Sequence, residues 1–479
     1  MLFNSFAFAV FLPIVFIVYW ALPHKFRWIL LLIASYYFYM SWNAKYVFLI
    51  LFTTLVSYLA AIALEKAGNK KTKKWILAGA AIICLGLLFF FKYFNFFTAS
   101  AAAVFEMFSI KLSPLTLKVL LPVGISFYTF QTLSYVIDVY RGDIPAEHHL
   151  GIYATFVSFF PQLVAGPIER AGNLLPQIRA EHRFDYEQAT YGLKIMAWGF
   201  FKKIVVADML ILYISKVYSF PQGYHGFALV IAAAIFPFQI YCDFSGYSDI
   251  AIGAAKLMGI DLMANFKSPY FSQSIREYWS RWHISLSAWF RDYVYIPLGG
   301  NRVGKAHHCF NLLVTFLASG LWHGANWTYV IWGGLHGIAQ VFETFFIPKK
   351  YRQSTGIVRW LRIAGVYLFC VFAFIIFASN SIGASLYVLG HLFDNISSPI
   401  AYLYNGFVDI GMGKLALMEA LVFIIILEVY DYLSLKRDVI MLLSRQKTII
   451  RWTVYVCFML MVIFFSQKGV ATEFVYFQF

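Results

Sequence analysis

Residues 309–337 read C-F-N-L-L-V-T-F-L-A-S-G-L-W-H-G-A-N-W-T-Y-V-I-W-G-G-L-H-G. Only about a dozen mostly apolar residues precede His323, fewer than the roughly 20 that a membrane-spanning helix needs. A longer apolar run follows and ends at Lys349. This pattern predicts a hairpin that enters the membrane, turns at W-H-G-A-N-W and returns. His323 is then expected at membrane depth in non-helical backbone, which is tolerated only beside an internal pocket or tunnel.

The composition of the whole chain places it in a lipid bilayer. Of its 479 residues, 61% are hydrophobic and 13% are charged, whereas soluble domains contain about 25% charged residues. The apolar runs predict about eleven transmembrane segments. They lie near residues 5–22, 28–41, 46–64, 75–98, 117–137, 204–219, 226–242, 327–346, 364–378, 414–432 and 452–466.

Charge and cysteine placement narrow the class of protein further. The net charge of +15 collects in loops, as in membrane proteins with basic cytoplasmic loops, and predicts no nucleic-acid partner. Basic groups around Lys25, Lys70, Lys350 and Arg445 are expected to be cytoplasmic. Both termini are then extracytoplasmic, with 467–479 as a tail. The first apolar segment is expected to be a retained helix, and the five scattered cysteines predict no metal site.

The organisation along the chain predicts an all-α fold, a polytopic transmembrane helical bundle. No repeat or polar linker divides the sequence, so residues 1–479 are expected to form one domain. From about 138 to 190 and from about 256 to 310, apolar runs are short and interrupted by charged and aromatic residues. Such stretches are typical of interfacial and re-entrant helices. We expect these helices to surround a central tunnel.

His323 is the ionisable residue that the predicted hairpin places inside the membrane. Such a group is costly there, which favours a functional role, and a histidine hydrogen-bonded to a neighbouring helix is the structural alternative. His336 follows 13 residues later and is a candidate supporting residue. Asp243 and Asp249 are expected to cap helices or pair with nearby arginines rather than to form a paired-carboxylate site.

Residues 317–337 strongly resemble the central motif of the membrane-bound O-acyltransferases, in particular the bacterial alginate O-acetyltransferase branch. The resemblance covers nearly the whole chain. Its other segments are M-L-F-N-S at the start, P-V-G-I-S-F-Y-T-F-Q from Pro122, F-F-P-Q-L-V-A-G-P-I-E-R from Phe159, Y-C-D-F-S-G-Y-S-D-I-A-I-G from Tyr241, R-E-Y-W-S-R-W-H-I-S-L-S from Arg276 and R-D-Y-V-Y-I-P-L-G-G-N-R from Arg291. The resemblance implies a membrane O-acyltransferase.

The resemblance also implies that His323 is catalytic. A neutral imidazole can accept the proton of a hydroxyl that attacks a thioester. Acetyl-CoA is the expected donor substrate, entering from the cytoplasm, and no bound cofactor is expected. Asn326 is a candidate oxyanion-binding group by proximity. The candidate ligands of the donor phosphates, for which ordinary positive-inside charge is the alternative, are Arg276, Arg281, Arg291 and Arg302, with His283 beside them.

The final six residues, F-V-Y-F-Q-F from 474 to 479, resemble the C-terminal motif of the small companion protein in teichoic acid D-alanylation. In that protein a tyrosine near the C-terminus is proposed to carry the acyl group. The resemblance implies that Tyr476 is an acyl carrier that presents its ester to an extracytoplasmic acetyltransferase partner. The alternative is an aromatic anchor at the membrane interface.

The predicted function is therefore an O-acyltransferase, specifically an O-acetyltransferase, in the bacterial cytoplasmic membrane. It is expected to move acetyl groups across the membrane for O-acetylation of an exopolysaccharide such as alginate, or of a cell-wall polymer. One alternative is the same fold with a carrier-protein thioester as donor, as in D-alanylation. Another is a polymer or lipid transporter without acyl chemistry, since a buried histidine in a broken helix also suits a transport site.

Overall fold

The structure is a computed structural model that describes residues 1–164, 166–348, 354–465 and 474. No strand occurs in these ranges, and the predicted all-α class is confirmed. In chain order the helices are α1 (Phe6–Ala21), α2 (His24–Met40), α3 (Val47–Lys66), α4 (Lys70–Leu88), α5 (Phe94–Met107), α6 (Ile125–Arg141), α7 (Leu150–Ser158), α8 (Phe160–Leu163), α9 (Ala171–Arg179), α10 (Tyr186–Phe200), α11 (Asp208–Ser219), α12 (Phe227–Leu257), α13 (Ile275–Arg281), α14 (Ile284–Phe290), α15 (Lys305–His323), α16 (Trp327–Phe346), α17 (Gly356–Ala378), α18 (Ile382–His391), α19 (Pro399–Ile410), α20 (Lys414–Ser434), α21 (Val439–Ser444) and α22 (Thr448–Phe465).

Residues at the helix boundaries explain where several helices begin and end. The side chain of Ser5 accepts a hydrogen bond from the backbone N–H of Phe8 at the start of α1, and Asn69 does the same for Thr72 at the start of α4. Such N-cap residues satisfy backbone donors that have no partner within the helix. Gly142 ends α6 with a φ of 81°, a left-handed conformation that glycine adopts at low cost.

Several helices are long and apolar enough to cross a membrane. Within the described ranges they are Ala44–Lys66, Lys70–Met107, Phe227–Leu257, Gly356–Ala378 and Thr448–Phe465, and α19 with α20, bent by 90°, makes a sixth candidate. The chain is therefore a multi-pass membrane protein, with fewer such helices than the roughly eleven segments expected from hydropathy. The segment expected near 117–137, for example, becomes helical only at Ile125, because Pro122 and the left-handed Gly124 precede it.

The chain forms two compact units, and the first consists of Met1–Leu193 and Ala251–Met263. Polar side chains buried in this unit are paired with one another. The Tyr153 hydroxyl donates to Ser57 Oγ at 2.6 Å, and the Glu147 carboxylate accepts from Arg179 Nε at 2.9 Å. Because a buried polar group is costly unless it is hydrogen-bonded, these contacts fix how α3, α7 and α9 pack. The single domain expected from the sequence stays a prediction.

The second unit consists of Lys194–Ile250 and Ala264–Phe479, and its core contains two buried lysines. They lie in a π-helical segment, Phe201–Ala207, between α10 and α11. Lys203 Nζ is 2.7 Å from carboxylate oxygens of Asp208 and Asp243, and Lys202 Nζ is 2.8 Å from Asp249.

These contacts correct the prediction for two aspartates. Asp243 and Asp249 were expected to cap helices or to pair with arginines, whereas both pair with lysines. Lys203 precedes Asp243 by 40 residues and Lys202 precedes Asp249 by 47, so only the packing of α12 against the π-helical segment brings the charges together. A buried ion pair is tolerated because each charge compensates the desolvation of the other.

α15 and α16 form the helical hairpin that carries His323, although two details of the prediction are wrong. α15 has 19 residues, a length of about 28 Å, because the helix begins with K-A-H-H at 305–308, a largely polar stretch that a hydropathy criterion leaves out. His323 is the last residue of α15 and therefore lies in helical backbone. The turn is confined to residues 324–326, and α16 begins at Trp327.

Two glycines allow the helices of this hairpin to pack closely. A Cβ atom on Gly333 would lie 2.3 Å from the backbone oxygen of Phe316 and 3.0 Å from Cα of Gly320. A Cβ atom on Gly320 would lie 2.3 Å from the backbone oxygen of Tyr329. Small residues at such crossings let helix backbones approach one another in membrane proteins. The position of His323 relative to α16 therefore depends on Gly320 and Gly333.

Replacing Gly333 by alanine should force α15 and α16 apart and lower stability by about 1–3 kcal/mol, the usual cost of overpacking. The measurement is the unfolding temperature of the purified protein in detergent. Gly334→Ala is the matched control, because a Cβ atom there would meet only a flexible leucine side-chain atom, Cδ2 of Leu317, at 3.4 Å. Equal unfolding temperatures for the two variants would contradict the role of this crossing.

Candidate active site

His323 is buried in an aromatic pocket of the second unit. Its side chain is 2% exposed. The rings of Trp322 and Trp332 have their centroids 5.1 Å from that of the imidazole, and the ring of Phe377 lies at 5.8 Å. All three contacts are edge-to-face, the geometry that aromatic quadrupoles favour. Because α15 ends at His323, this histidine lies at the turn of the hairpin, where other groups can approach it.

A second histidine, His283, lies next to His323. The centroids of the two imidazole rings are 6.1 Å apart, and His283 is fully buried. Its Nδ1 is 3.1 Å from Oδ1 of Asn265, and that oxygen also accepts from Ser285 Oγ at 2.9 Å. Burial lowers the pKa of His283 to about 3, so its imidazole is neutral at physiological pH.

His283, expected beside the arginines that bind phosphate, lies next to His323 instead. The reason is its backbone. His283 has a φ of 44° and a ψ of 52° at the start of α14, a left-handed conformation that is uncommon for a residue with a Cβ atom. This conformation separates α13 from α14 at His283. Neither hydropathy nor residue spacing predicts this left-handed conformation. The run R-W-H from Arg281 to His283 belongs to a segment that resembles the family, and it could have drawn attention to His283.

His336 lies one aromatic ring away from His323. The Trp332 ring is between the two histidines, 5.1 Å from His323 and 4.9 Å from His336 by ring centroids. His336 is fully buried, and its Nδ1 is 3.2 Å from Nε1 of Trp279. Because an indole nitrogen can only donate, Nδ1 of His336 is the acceptor in this hydrogen bond.

Asn326 is close to His323 in sequence, but its amide has other partners. Its side-chain oxygen accepts from the backbone N–H of Thr328 at 3.1 Å and so caps α16. Its Nδ2 donates to the backbone oxygen of Asn380 at 2.9 Å. These contacts explain Asn326 as an N-cap residue that also fixes the segment after α17. Its role in binding an oxyanion stays a prediction.

A cavity of about 450 Å³ lies among α13, α14, α15 and α16, and it separates the predicted arginines into two groups. Arg276 and Arg291 line this cavity together with His308. The hydrogen bond from Arg291 to Asp292 raises the pKa of the guanidinium, so Arg291 stays charged. Arg281 instead lines a separate cavity of about 480 Å³ and pairs with Glu277 at 2.8 Å. Arg302 is exposed and lines neither cavity.

One side of the first cavity is formed by α15, the helix that ends at His323. Leu312, Thr315 and Ser319 line it, and they share one face of the helix because of their spacing of three and four residues. His323 follows Ser319 by four residues, one further turn along the same face. A ligand whose phosphates meet Arg276 and Arg291 can therefore extend toward His323.

Phe474, six residues from the end of the sequence when counted inclusively, is buried against aromatic residues of α12. Phe474 is 1% exposed, and its ring stacks on Tyr247 with a centroid separation of 4.7 Å. It also lies 5.5 Å from the ring of Phe244, which is 4.6 Å from the ring of His283. Tyr476, the predicted acyl carrier, lies outside the described residues. Phe474 is therefore linked to His283 through the ring of Phe244.

The sequence model of the membrane-bound O-acyltransferase family matches residues 144–388, slightly more than half of the chain. The chain belongs to the membrane-bound O-acyltransferase family. The matched range includes His283, His323 and His336. Family membership confirms the resemblance found in the sequence and shows that the protein is an O-acyltransferase, as predicted.

Curated relatives of this membrane-bound O-acyltransferase carry three different names. A probable alginate O-acetylase, AlgI, of Pseudomonas syringae is 42% identical over 81% of this chain and 74% of its own length. A peptidoglycan O-acetyltransferase of Helicobacter pylori is 34% identical over 81% of this chain and 79% of its own. A teichoic acid D-alanyltransferase of Streptococcus thermophilus is 29% identical over 57% of this chain and 72% of its own.

Proposed function

We propose that this enzyme takes acetyl groups from a cytoplasmic thioester donor and passes them across the membrane for O-acetylation of an exopolysaccharide of the alginate class. The observation that carries the proposal is the buried His323, which lies four residues after Ser319 on α15, while Ser319 lines the cavity that also contains Arg276 and Arg291. The name of the 42% identical relative, an alginate O-acetylase, supports the acetyl group and the polymer. Acetylation of a cell-wall polymer is the second candidate, favoured by the peptidoglycan O-acetyltransferase of Helicobacter pylori.

The proposed reaction is the transfer of an acyl group from sulfur to oxygen. His323 takes the proton of an acceptor hydroxyl while the hydroxyl oxygen attacks the thioester carbonyl. The carbon–oxygen bond forms, the carbon–sulfur bond breaks, and the thiolate receives the proton from the imidazolium of His323. The products are an oxygen ester and a free thiol. The aromatic pocket around His323 excludes water, which protects the thioester from hydrolysis.

We propose that the first acceptor is the hydroxyl of Tyr476. Support comes from Phe474, which is buried against Tyr247 and Phe244. The proposed acceptor follows this anchor by only two residues in the sequence, and two residues of extended chain span at most about 7 Å. The ester of Tyr476 would then be the substrate of an extracytoplasmic acetyltransferase partner, with both termini on that side of the bacterial cytoplasmic membrane. In this way the acetyl group crosses the membrane while the thiol stays behind.

Two donors share the required chemistry. Acetyl-CoA and an acyl carrier protein both present a thioester on a phosphopantetheine arm. We propose acetyl-CoA, because the cavity with Arg276 and Arg291 can receive a ligand with several phosphates. A carrier-protein donor is the alternative, and the similarity to a teichoic acid D-alanyltransferase supports it.

The two arginines of the first cavity provide a test of the donor. Replacing Arg276 or Arg291 by glutamine should raise the KM for acetyl-CoA about 10- to 100-fold with little change in kcat, because a charged hydrogen bond to phosphate is lost at a distance from the reacting atoms. The measurement is the release of free coenzyme A by the purified protein.

The matched control for these substitutions is Arg437→Gln, at an exposed position after α20. It should leave the KM unchanged. If the KM for acetyl-CoA is the same in all three variants and the wild type, these arginines do not bind the donor phosphates. The KM for a phosphate-free acetyl thioester should not change in these variants. If it rises as much as the KM for acetyl-CoA, the arginines do not act by binding phosphate.

A further inference from the structure

A cavity of about 480 Å³, separate from the one that Arg276 and Arg291 line, lies at one end of α17 and α20. Its lining includes the residues directly before α17, the residues directly after α20 and part of α13. Three of the lining side chains are cationic, and they are Arg281, Arg359 and Lys436. We refer to this space as the basic cavity. The acyl transfer proposed above makes no use of it.

The basic cavity carries more positive than negative charge. Glu277 is the one acidic residue in the described lining, and both of its carboxylate oxygens accept hydrogen bonds. Arg281 Nη2 donates to one at 2.8 Å, and the backbone N–H of Gln273 donates to the other at 2.9 Å. Among the residues that the structure describes, no carboxylate pairs with Arg359 or Lys436. Two cations in the cavity are therefore uncompensated and should attract an anion.

The hydrogen-bond donors of the basic cavity indicate that this anion is a phosphate. Nε of Arg359 is buried and has no hydrogen-bond partner in the described ranges, although buried donors in proteins are nearly always paired. Thr355, which precedes α17, makes no side-chain hydrogen bond to the start of that helix, where the first backbone N–H groups have no partner within the helix. A phosphate can accept several charge-assisted hydrogen bonds at once from guanidinium groups and a helix N-terminus.

Aromatic residues beside the basic cavity indicate its depth in the membrane. The rings of Trp360 and Tyr432 stack with a centroid separation of 6.2 Å, and the two residues are 47% and 45% exposed. Phe271, which lines the cavity, has its ring 5.8 Å from that of Tyr432. Exposed tryptophan and tyrosine are typical of the membrane–water interface, and α17 is long and apolar enough to cross the membrane. The basic cavity therefore lies at the level of the lipid headgroups.

The exposed surface of α20 next to the basic cavity is apolar. Ile425, Val429 and Tyr432 follow one another at intervals of four and three residues, so they share one face of the helix. All three are exposed. In a bilayer such a face is covered by acyl chains, and the phosphates closest to the cavity are those of the same lipids. The position of the cavity therefore favours a lipid phosphate over a free one.

We propose that the basic cavity binds the headgroup phosphate of an anionic phospholipid, such as phosphatidylglycerol, whose acyl chains cover the exposed face of α20. Basic pockets between transmembrane helices are suited to anionic headgroups. A zwitterionic headgroup carries an additional amine, which Arg359 and Lys436 would repel. The inference is independent of the proposed acyl transfer, because the basic cavity contains neither His323 nor the two arginines proposed to bind the donor.

The test measures lipid binding and needs no turnover. Native mass spectrometry of the full-length protein in a nonionic detergent counts the phosphatidylglycerol molecules that stay bound as the lipid is titrated. We expect one molecule to bind the wild type at low lipid concentration. Arg359→Gln and Lys436→Gln should each weaken this binding about tenfold, because each removes a charge-assisted hydrogen bond. Arg359→Lys keeps the positive charge and should retain most of the affinity.

Arg437→Gln is the matched control for the two glutamine variants. It removes one positive charge from the exposed residue next to Lys436, but Arg437 lines neither cavity. It should bind phosphatidylglycerol like the wild type, and the unfolding temperature without lipid shows whether each variant is folded. Equal affinity of the wild type and all three glutamine variants would overturn the inference, because the lipid would then respond to the net charge of the protein alone or bind elsewhere.

Two comparisons of ligands separate a lipid site from other phosphate sites. Phosphatidylethanolamine with the same acyl chains should bind the wild type at least tenfold more weakly than phosphatidylglycerol, and equal binding would contradict an anionic lipid site. Inorganic phosphate and coenzyme A carry phosphate without the two acyl chains. Neither should displace phosphatidylglycerol at an equal concentration. Displacement by either would show that the basic cavity binds a soluble phosphate compound, and the lipid assignment would be wrong.

Discussion

Replacing His323 by alanine should reduce acyl transfer about 10²- to 10⁴-fold, the range that a general base contributes. Without the imidazole, the acceptor hydroxyl must attack the thioester while it still holds its proton. The three nearest rings around position 323 belong to tryptophan and phenylalanine, and the next, His283, has a pKa lowered to about 3 by burial, which makes it a much weaker base. The measurement is the release of free thiol and the retention of label when purified protein is incubated with radiolabelled acetyl-CoA.

His307→Ala is the matched control for His323→Ala. His307 is exposed and belongs to the same helix, α15, so its loss should leave the transfer rate unchanged. The unfolding temperature of both variants shows whether the fold is intact. A folded His323→Ala protein that keeps more than a tenth of the wild-type rate would rule out general-base catalysis by His323.

Replacing Tyr476 by phenylalanine should abolish the label retained on the protein. The substitution removes one hydroxyl and preserves the aromatic ring, so the tail keeps its apolar character while the first acceptor is lost. Mild base should release the label from the wild type, because mild base hydrolyses oxygen esters. The rate of thioester cleavage should also fall in Tyr476→Phe. Water is excluded from the pocket and cannot replace the lost hydroxyl as the acceptor.

Tyr404→Phe is the control for Tyr476→Phe, because Tyr404 is exposed on α19. It should retain label at the wild-type level. Retention of label by Tyr476→Phe, with His323→Ala inactive, would show that the acyl group is carried elsewhere. That outcome would remove the carrier role of Tyr476 and leave the catalytic role of His323 in place.

Composition and motif were sufficient to predict the fold class and the family. A chain with 61% hydrophobic residues has no surface suited to water, and the W-H-G run identified His323 before its surroundings were known. Arg276 and Arg291, two of the predicted donor ligands, line one cavity, and their role as ligands stays a prediction. These predictions depend on residue type and order along the chain, which a sequence contains directly.

The features that the sequence did not reveal depend on backbone conformation and packing. His283 reaches His323 because of its left-handed backbone, and the separation of Arg281 from Arg276 follows from their positions on opposite faces of a short helix, α13. The length of α15 was underestimated because its first residues are mostly polar. Such residues can form a helix, but a search for apolar runs does not count them. Hydropathy measures the medium that a segment prefers and not its hydrogen bonding.

The burial of Phe474 has a kinetic consequence for the proposed relay. An acceptor hydroxyl that belongs to the same chain does not have to be captured from solution, and tethering through a short segment corresponds to an effective concentration in the millimolar range or above. Acylation is then a unimolecular event within each bound complex, first order in protein and indifferent to dilution. The entropy that is lost in positioning the acceptor is lost largely when the chain folds, before any donor binds.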